Sequence, residues 1–260
     1  MILITSPQNS KIKLVRALLG RAKERREANA FVIEGVRLVE EAVSSNWKVQ
    51  FLLYDETLNE RGKSQVERLK SSGVDIEMIS KSLMRSLSET DTPQGILAVL
   101  DDSRLPIPDS LNFTLILDQI RDPGNLGTLL RTSAATGVQV VILPPETTDV
   151  FAPKVVRSGM GAHFRLPIHS LTWEEIREQT KELLIYLADM DGKSCWETDL
   201  RQPLALIIGG EAEGASDEAR KLATQKISIP MAGNVESLNA GVAGSVIMFE
   251  VVRQRNYTAG

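Results

Sequence analysis

The sequence predicts an α/β chain of two units: a small α/β unit, then a larger one built on a mostly parallel sheet with helices on both faces. Three observations carry this expectation. Short runs of continuous apolar character, such as TLIL, VVIL and LALII, alternate with segments of helical period, as strands buried on both faces do. The stretch DDSRLPIPDS holds Pro106 and Pro108, which remove backbone donors and fix the chain in extended form, as suits a linker. Finally, 260 residues of which 42% are hydrophobic are enough to fill ordinary cores. The boundaries are placed at 1–102 for the first unit, 103–110 for the linker and 111–260 for the second unit.

In the first unit a basic helix near 9–27 places Ile12, Val15, Leu18 and Leu19 at helical spacing. There follow the strand FVIEG, the helix VRLVEEAVSS, the strand VQFLLYD, a charged helix around 58–71, the strand VDIEMIS, a short helix near 81–88 and the strand QGILAVLD. The second unit opens on LNFTLILD and continues with a helix over 125–136 closed by Gly137, the strand VQVVIL and a helix over 153–160 opened by Pro153. Next come the strand HFRLPI, a helix over 172–182 in which Thr172 and Glu175 have capping-box spacing, and the strand LLIYLAD. After LALIIGG the pattern gives a helix over 216–224, the strand KISIPM and a last helix over about 237–253, whose apolar positions Val242, Val246, Phe249 and Val252 read as core or as a dimer contact.

Composition removes several function classes. No uncharged stretch reaches the roughly eighteen residues of a membrane-spanning helix, and MILITSPQNSK lacks the basic-then-apolar order of a secretory signal. A cytoplasmic protein is expected. The single cysteine, Cys195, excludes an internal disulfide, and with only His163 and His169 beside it no metal site is expected. Both histidines are expected to make ordinary hydrogen bonds. The net charge is −4, yet Lys11, Lys13, Arg16, Arg21, Lys23, Arg25 and Arg26 face only Glu24 and Glu27 at the amino end. That end is suited to hold a polyanion, or it is the solvated face of an amphipathic helix.

Three loops follow apolar strands, where open α/β sheets bind ligands: DQIRDPGNLGTLLR at 118–131, GGEAEG at 209–214 and IPMAGNVESLN at 229–239. None contains the G-x-G-x-x-G of a dinucleotide fold or a P-loop lysine. Glu211 and Glu213 would repel a pyrophosphate, so a neutral or cationic ligand is expected at GGEAEG. Glycines at 209, 210 and 214 let the backbone approach a flat ligand, and backbone groups from Ile229 to Met231 can bond an adenine edge. S-adenosylmethionine fits, with adenine, ribose, a sulfonium and no phosphate. Plainer readings stand beside this one: a turn with a cap at Ser216, caps at Ser237 and Asn239, and a surface arginine at Arg131 on a helix buried through Leu126, Leu129 and Leu130.

Asn125, Gly127 and Arg131 as N-x-G-x-x-x-R, Ile208 to Gly214 as I-G-x-E-x-x-G, and I-P-M followed by S-L-N from Ile229 to Asn239 resemble the three signature motifs of the SpoU (TrmH) family of RNA ribose methyltransferases. FVIEG at 31–35 is similar to part of the amino-terminal substrate-binding domain common in that family, so the resemblance spans essentially the whole chain. It implies a deep trefoil knot of the SPOUT type, a homodimer with the site near the subunit interface, and 2′-O-methylation of RNA with S-adenosylmethionine as cofactor. Gly209, Gly210, Ile229, Met231 and Leu238 would hold the cofactor, and Arg131, Asn125, Glu211, Ser237 and Asn239 would form the catalytic set, with Glu211 fixing the fork of Arg131. Lys11, Arg16, Arg25, Arg26 and Glu34 would contact RNA. Ribosomal RNA is the expected substrate; transfer RNA, or a catalytically silent RNA-binding assembly factor, is the alternative. A nucleotide-dependent oxidoreductase is disfavoured by the missing glycine fingerprint.

Overall fold

The computed structural model describes residues 3–211, 213–233 and 237–256. Its contacts divide the chain into two compact units, one of Met1–Ser103 with Phe151–Phe164 and one of Arg104–Val150 with Arg165–Gly260. The segment 151–164, read from the sequence as part of the second unit, thus packs with the first.

The first unit contains α1 (Ser10–Gly20), α2 (Ala22–Ala28), β1 (Ala30–Glu34), α3 (Val36–Ser44), β2 (Val49–Tyr54), α4 (Glu60–Ser71), β3 (Asp75–Met78), α5 (Lys81–Leu87) and β4 (Ile96–Asp101). The single helix expected over 9–27 is two helices, because Arg21 is extended, with φ −134°. The sheet runs β1-β4-β2-β3, with β4 antiparallel to β1 and β2 and with β2 parallel to β3. Ile12, Val15 and Leu18 bury the apolar stripe of α1 against Phe51, Leu53 and Val99 of the sheet and Leu83 and Met84 of α5.

Aromatic packing ties the late segment to this unit. The Phe151 ring stacks on Phe31 with centroids 4.5 Å apart, and Phe164 meets Trp47 edge-on at 5.4 Å. Between these rings lies α7 (Pro153–Gly159), opened by its proline as expected. It ends where Met160 and Gly161 take left-handed backbone angles, φ 50° and 91°. HFRLPI is therefore not one strand. Ala162–Phe164 form a 3₁₀ turn whose side chains are buried in the first unit, and Pro167 has no N–H to give a ladder, so the strand begins at Ile168.

The second unit contains β5 (Phe113–Leu117), α6 (Pro123–Thr136), β6 (Val140–Leu143), β7 (Ile168–Ser170), α8 (Trp173–Gln179), β8 (Leu184–Ser194), β9 (Leu204–Ile208), α9 (Asp217–Leu222), β10 (Gln225–Ser228) and α10 (Ala240–Asn256). Its six strands run β10-β8-β9-β5-β6-β7, every pair parallel. Ile116, Val140, Ile185 and Ile207 meet Ile176 of α8 and Ala219 of α9 on one face. On the other, a Cβ at Gly244 of α10 would meet Leu129 of α6 and Ile208 of β9. The capping box at Thr172 and Glu175 is present.

α10 buries Gly244, Ile247, Met248 and Val251. The core reading of its other apolar stripe is corrected, since Val242 and Phe249 are 48% and 53% exposed. No helix among the described residues is long and apolar enough to cross a membrane.

Phe151→Ala should remove a stacked ring from a filled core and cost about 3 kcal/mol. Chemical denaturation checks this; a loss under about 1 kcal/mol would mean that the first unit closes over Phe31 without it.

Candidate active site

The turns after β5, β9 and β10 all leave the carboxyl edge of the parallel sheet. β5 and β9 are neighbours, so their turns touch. The Asp118 carboxylate accepts the Ser216 N–H at 2.6 Å. A Cβ on Gly210 would stand 2.6 Å from the Gln119 carbonyl oxygen, and one on Gly209 would stand 2.5 Å from the Ala215 nitrogen, so only glycine permits this approach. The Gly210 N–H donates to the Gly214 carbonyl at 3.0 Å and closes the GGEAEG turn on itself.

The two flanking helices begin at other places than the sequence suggested. Asp122 caps α6 by accepting the Asn125 N–H at 2.8 Å, and Pro123 is the first helical residue. Asn125 and Gly127 thus lie inside a helix rather than in an open cradle. α10 begins at Ala240, not 237, and the Asn239 side chain caps it by accepting the Val242 N–H at 3.2 Å. α6 and α10 then pack closely, with the Thr132 and Ser245 hydroxyls 2.9 Å apart.

This packing joins the three turns through side chains. Asn239 Nδ2 donates to Asn125 Oδ1 at 2.9 Å, Asn125 Nδ2 donates to Glu211 Oε1 at 2.8 Å, and Glu211 Oε2 accepts the Arg121 N–H at 3.3 Å. A cleft of about 860 Å³ lies beside the chain. Gly209, Gly210, Ile229, Met231 and Leu238 all line it, as do Glu211, Ser237 and Asn239. Ile208, Ile227, Ala243 and Ile247 give it apolar walls. The residues of the cofactor set and three of the catalytic set therefore share one cavity, and Asn125 is bonded to two of them.

Arg131 is not in that group. It is exposed, in the third turn of α6, and has no hydrogen-bond or ion-pair partner among the described residues. The expected pairing of Glu211 with Arg131 is corrected: Glu211 holds Asn125. Six residues at 3.6 per turn set Arg131 about 120° round the helix from Asn125, which is why one carboxylate does not reach both.

Two cleft residues were missed, Asp189 and Arg220. Asp189 had a faint signal as the acid ending the apolar run LLIYLAD. Arg220 had none, because only the fold turns that side of α9 toward the cleft. Burial pushes the Asp189 carboxyl up, but bonds from Lys226, the Asp191 N–H and Arg220 outweigh it and hold the group below the ordinary carboxylate value. At Asp118, which is 1% exposed, burial dominates and pushes the carboxyl up despite the Ser216 bond; its Oδ1 has no hydrogen-bond partner among the described residues.

The candidate RNA contacts divide. Arg16 and Arg26 are exposed, with Arg16 touching Ser86 at 3.1 Å. Arg25 is corrected: it is buried, and its guanidinium donates to the Leu18 carbonyl at 2.5 Å, satisfying one of the orphan acceptors at the end of α1. Lys11 is paired with Asp75 at 2.6 Å and Glu77 at 3.0 Å. Glu34 accepts the hydroxyls of Ser88 and Thr90, which fastens that turn to β1. His169 shares a hydrogen bond with the Leu105 carbonyl at 2.7 Å. Cys195 is fully buried, and its thiol is pushed up to about 11 by that burial and by Glu250, which makes it a poor nucleophile. Among the described residues no group of three or more metal-ligating side chains is present.

Residues 112–249 match the SpoU rRNA Methylase family and residues 9–98 match the MRM3-like substrate binding domain. The chain is 33% identical to a 23S rRNA (uridine(2479)-2′-O)-methyltransferase of Streptomyces viridochromogenes, over 97% of this chain and 92% of the relative. It is also 33% identical to the 23S rRNA (guanosine(2553)-2′-O)-methyltransferase RlmP of Bacillus subtilis, over 95% and 98%. Among solved structures, the SpoU methyltransferase AviRb from Streptomyces viridochromogenes in complex with AdoMet superposes with a TM-score of 0.83 at 31% identity, over 95% of this chain and 99% of that one. The AdoMet-bound rRNA methyltransferase from Sinorhizobium meliloti gives 0.87 at 28%, over 99% of both.

Asp118→Asn keeps an oxygen for the Ser216 N–H and removes a buried charge. Because the folded carboxyl titrates above its ordinary value of 3.8, its stabilising contribution is full below that value and is lost as the pH rises through the raised one. Wild type should therefore lose stability relative to Asp118→Asn between about pH 4 and pH 7. Thermal melts at both pH values test this; a pH-independent difference would contradict it.

Proposed function

This chain belongs to the SpoU rRNA Methylase family, and we propose that it transfers a methyl group from S-adenosylmethionine to a ribose 2′-hydroxyl of ribosomal RNA. The observation that carries the reading is the convergence of three turns on one acid-bearing cleft, closed by the hydrogen-bonded series Asn239, Asn125 and Glu211. The named relatives that support it act on 23S rRNA.

When bound, S-adenosylmethionine supplies an electrophilic methyl group on a positively charged sulfur. Gly209 and Gly210 give the cleft a wall of backbone, their missing side chains letting that turn close on Ala215 and Gln119, and the backbone of Ile229 to Met231 offers donors and acceptors to adenine beside apolar walls. Glu211 and Glu213 favour a cation over a phosphate-bearing cofactor. The Asn125 amide has one N–H engaged by Glu211 and its oxygen by Asn239, so its second N–H is fixed in direction and free for a ribose or phosphate oxygen. Ser237 and Asn239 line the cleft together with Leu238. A guanidinium is a poor base, so the role of Arg131 is to hold the target phosphate and stabilise the developing alkoxide rather than to take a proton.

Arg131 points away from the Asn125 side of α6, and Val242, Phe249, Leu238 and Met231 are exposed apolar residues on α10 and at the cleft. Both features support a homodimer in which Arg131 of one copy serves the cleft of the other. The return of α10 from the edge strand β10 to pack on α6 supports the trefoil knot typical of the family. Arg16 and Arg26, with Lys13 and Lys23, form the basic amino-terminal surface for RNA. A cytoplasmic location fits this substrate.

Arg131→Ala should lower methylation at least about a hundredfold with S-adenosylmethionine binding retained by calorimetry; full activity would remove the assigned role. Mapping 2′-O-methyl marks in ribosomal RNA from cells with and without the gene should show the loss of a site, and a mark lost from transfer RNA alone would redirect the substrate. Neutralising Arg16 and Arg26 should reduce the salt dependence of RNA binding by roughly 0.7 to 0.9 in log–log slope for each phosphate that is no longer neutralised; an unchanged slope would take them out of the interface.

A further inference from the structure

Arg220 is the sole lysine or arginine among the described residues that line the cleft, which otherwise carries Asp189, Glu211 and Glu213. Its side chain is 40% exposed and doubly anchored. Nη1 donates to Asp189 Oδ2 at 2.8 Å, and Nε donates to the Ala215 carbonyl at 3.2 Å. Nη2 has no acceptor among the described residues and passes over Gly214, 3.4 Å from the place a Cβ would occupy. Lys226 reaches the same Asp189 oxygen at 3.0 Å, so two cations share one carboxylate and this wall keeps positive charge uncompensated by Asp189.

A clasp between β8 and the GGEAEG turn would account for Nε and Nη1. It does not account for a guanidinium edge left without an acceptor among the described residues in an otherwise acidic cleft. The amino-acid end of the proposed cofactor is a zwitterion, and a wall with acids on one turn and a fixed arginine beside it offers a partner to each of its charges. Arginine's planar fork suits a carboxylate.

We propose that Arg220, held in place by Asp189 and the Ala215 carbonyl, binds the α-carboxylate of S-adenosylmethionine. This rests on the cofactor reading above. Arg220 is then a specificity residue, separating the intact cofactor from adenosyl sulfonium compounds without a carboxylate, which the acidic residues alone would favour for their higher positive charge.

The test is calorimetry on the full chain with three probes: S-adenosylmethionine, its decarboxylated form and methylthioadenosine. Wild type should bind S-adenosylmethionine about tenfold more tightly than the decarboxylated form. Arg220→Met should bring that ratio near one with methylthioadenosine affinity unchanged, and Arg220→Lys should retain part of it. The proposal is overturned by a wild-type ratio near one, by an unchanged ratio in Arg220→Met, or by equal weakening of all three probes, which marks a purely structural clasp. No binding of S-adenosylmethionine by wild type would instead sink the cofactor reading itself.

Discussion

The approach of α10 to α6 is the constraint on which the site depends. Gly244 lies where a Cβ would come within 2.4 Å of a Leu129 methyl, and a Cβ at Gly241 would stand 3.2–3.3 Å from the side-chain oxygens of Asn239 and Asn125. Larger residues there would lever the helices apart. Asn239 would then lose Asn125, since hydrogen bonds weaken quickly beyond about 3.2 Å, and Asn125 would no longer be directed by Glu211. The same economy of atoms recurs at Gly209 and Gly210 on the neighbouring turn. Four missing side chains thus hold three corners of the sheet together.

Charge separates the two ligands of this methyltransferase. Among its described residues the cleft carries three acids and one arginine, which suits a cationic methyl donor and discourages phosphates. Positive charge lies outside the cleft, at Arg131 on α6 and at the exposed basic residues of α1 and α2, which is where the proposed function puts the polyanionic substrate. An overall net charge of −4 conceals this division, because it sums acids and bases that lie on different elements.

The first unit shows how interior demands redirect residues that look functional. Phe31 and Trp47 require cover, and Phe151 and Phe164 provide it from a distant part of the chain. Arg25 looks like one more cation of a basic helix, yet the end of α1 leaves carbonyls without donors and its guanidinium is drawn inside to meet one. Glu34, at the end of β1, is likewise engaged by the hydroxyls of Ser88 and Thr90.

The sequence by itself determined the alternation of strands and helices, the parallel sheet and the three glycine-bearing turns, because apolar periodicity and glycine placement are local properties of the chain. It also carried three motifs that resemble those of the SpoU family and so imply S-adenosylmethionine, while absent glycine fingerprints and present glutamates spoke against a phosphate-bearing ligand; none of this needs coordinates. Tertiary structure decided the rest: that Glu211 holds Asn125 and not Arg131, that Asp189 and Arg220 enter the cleft, that residues 151–164 join the first unit, and that Val242 and Phe249 face outward. Each of these turns on the direction of a side chain after distant segments pack, and a periodic pattern names a face of a helix without saying what will lie against it.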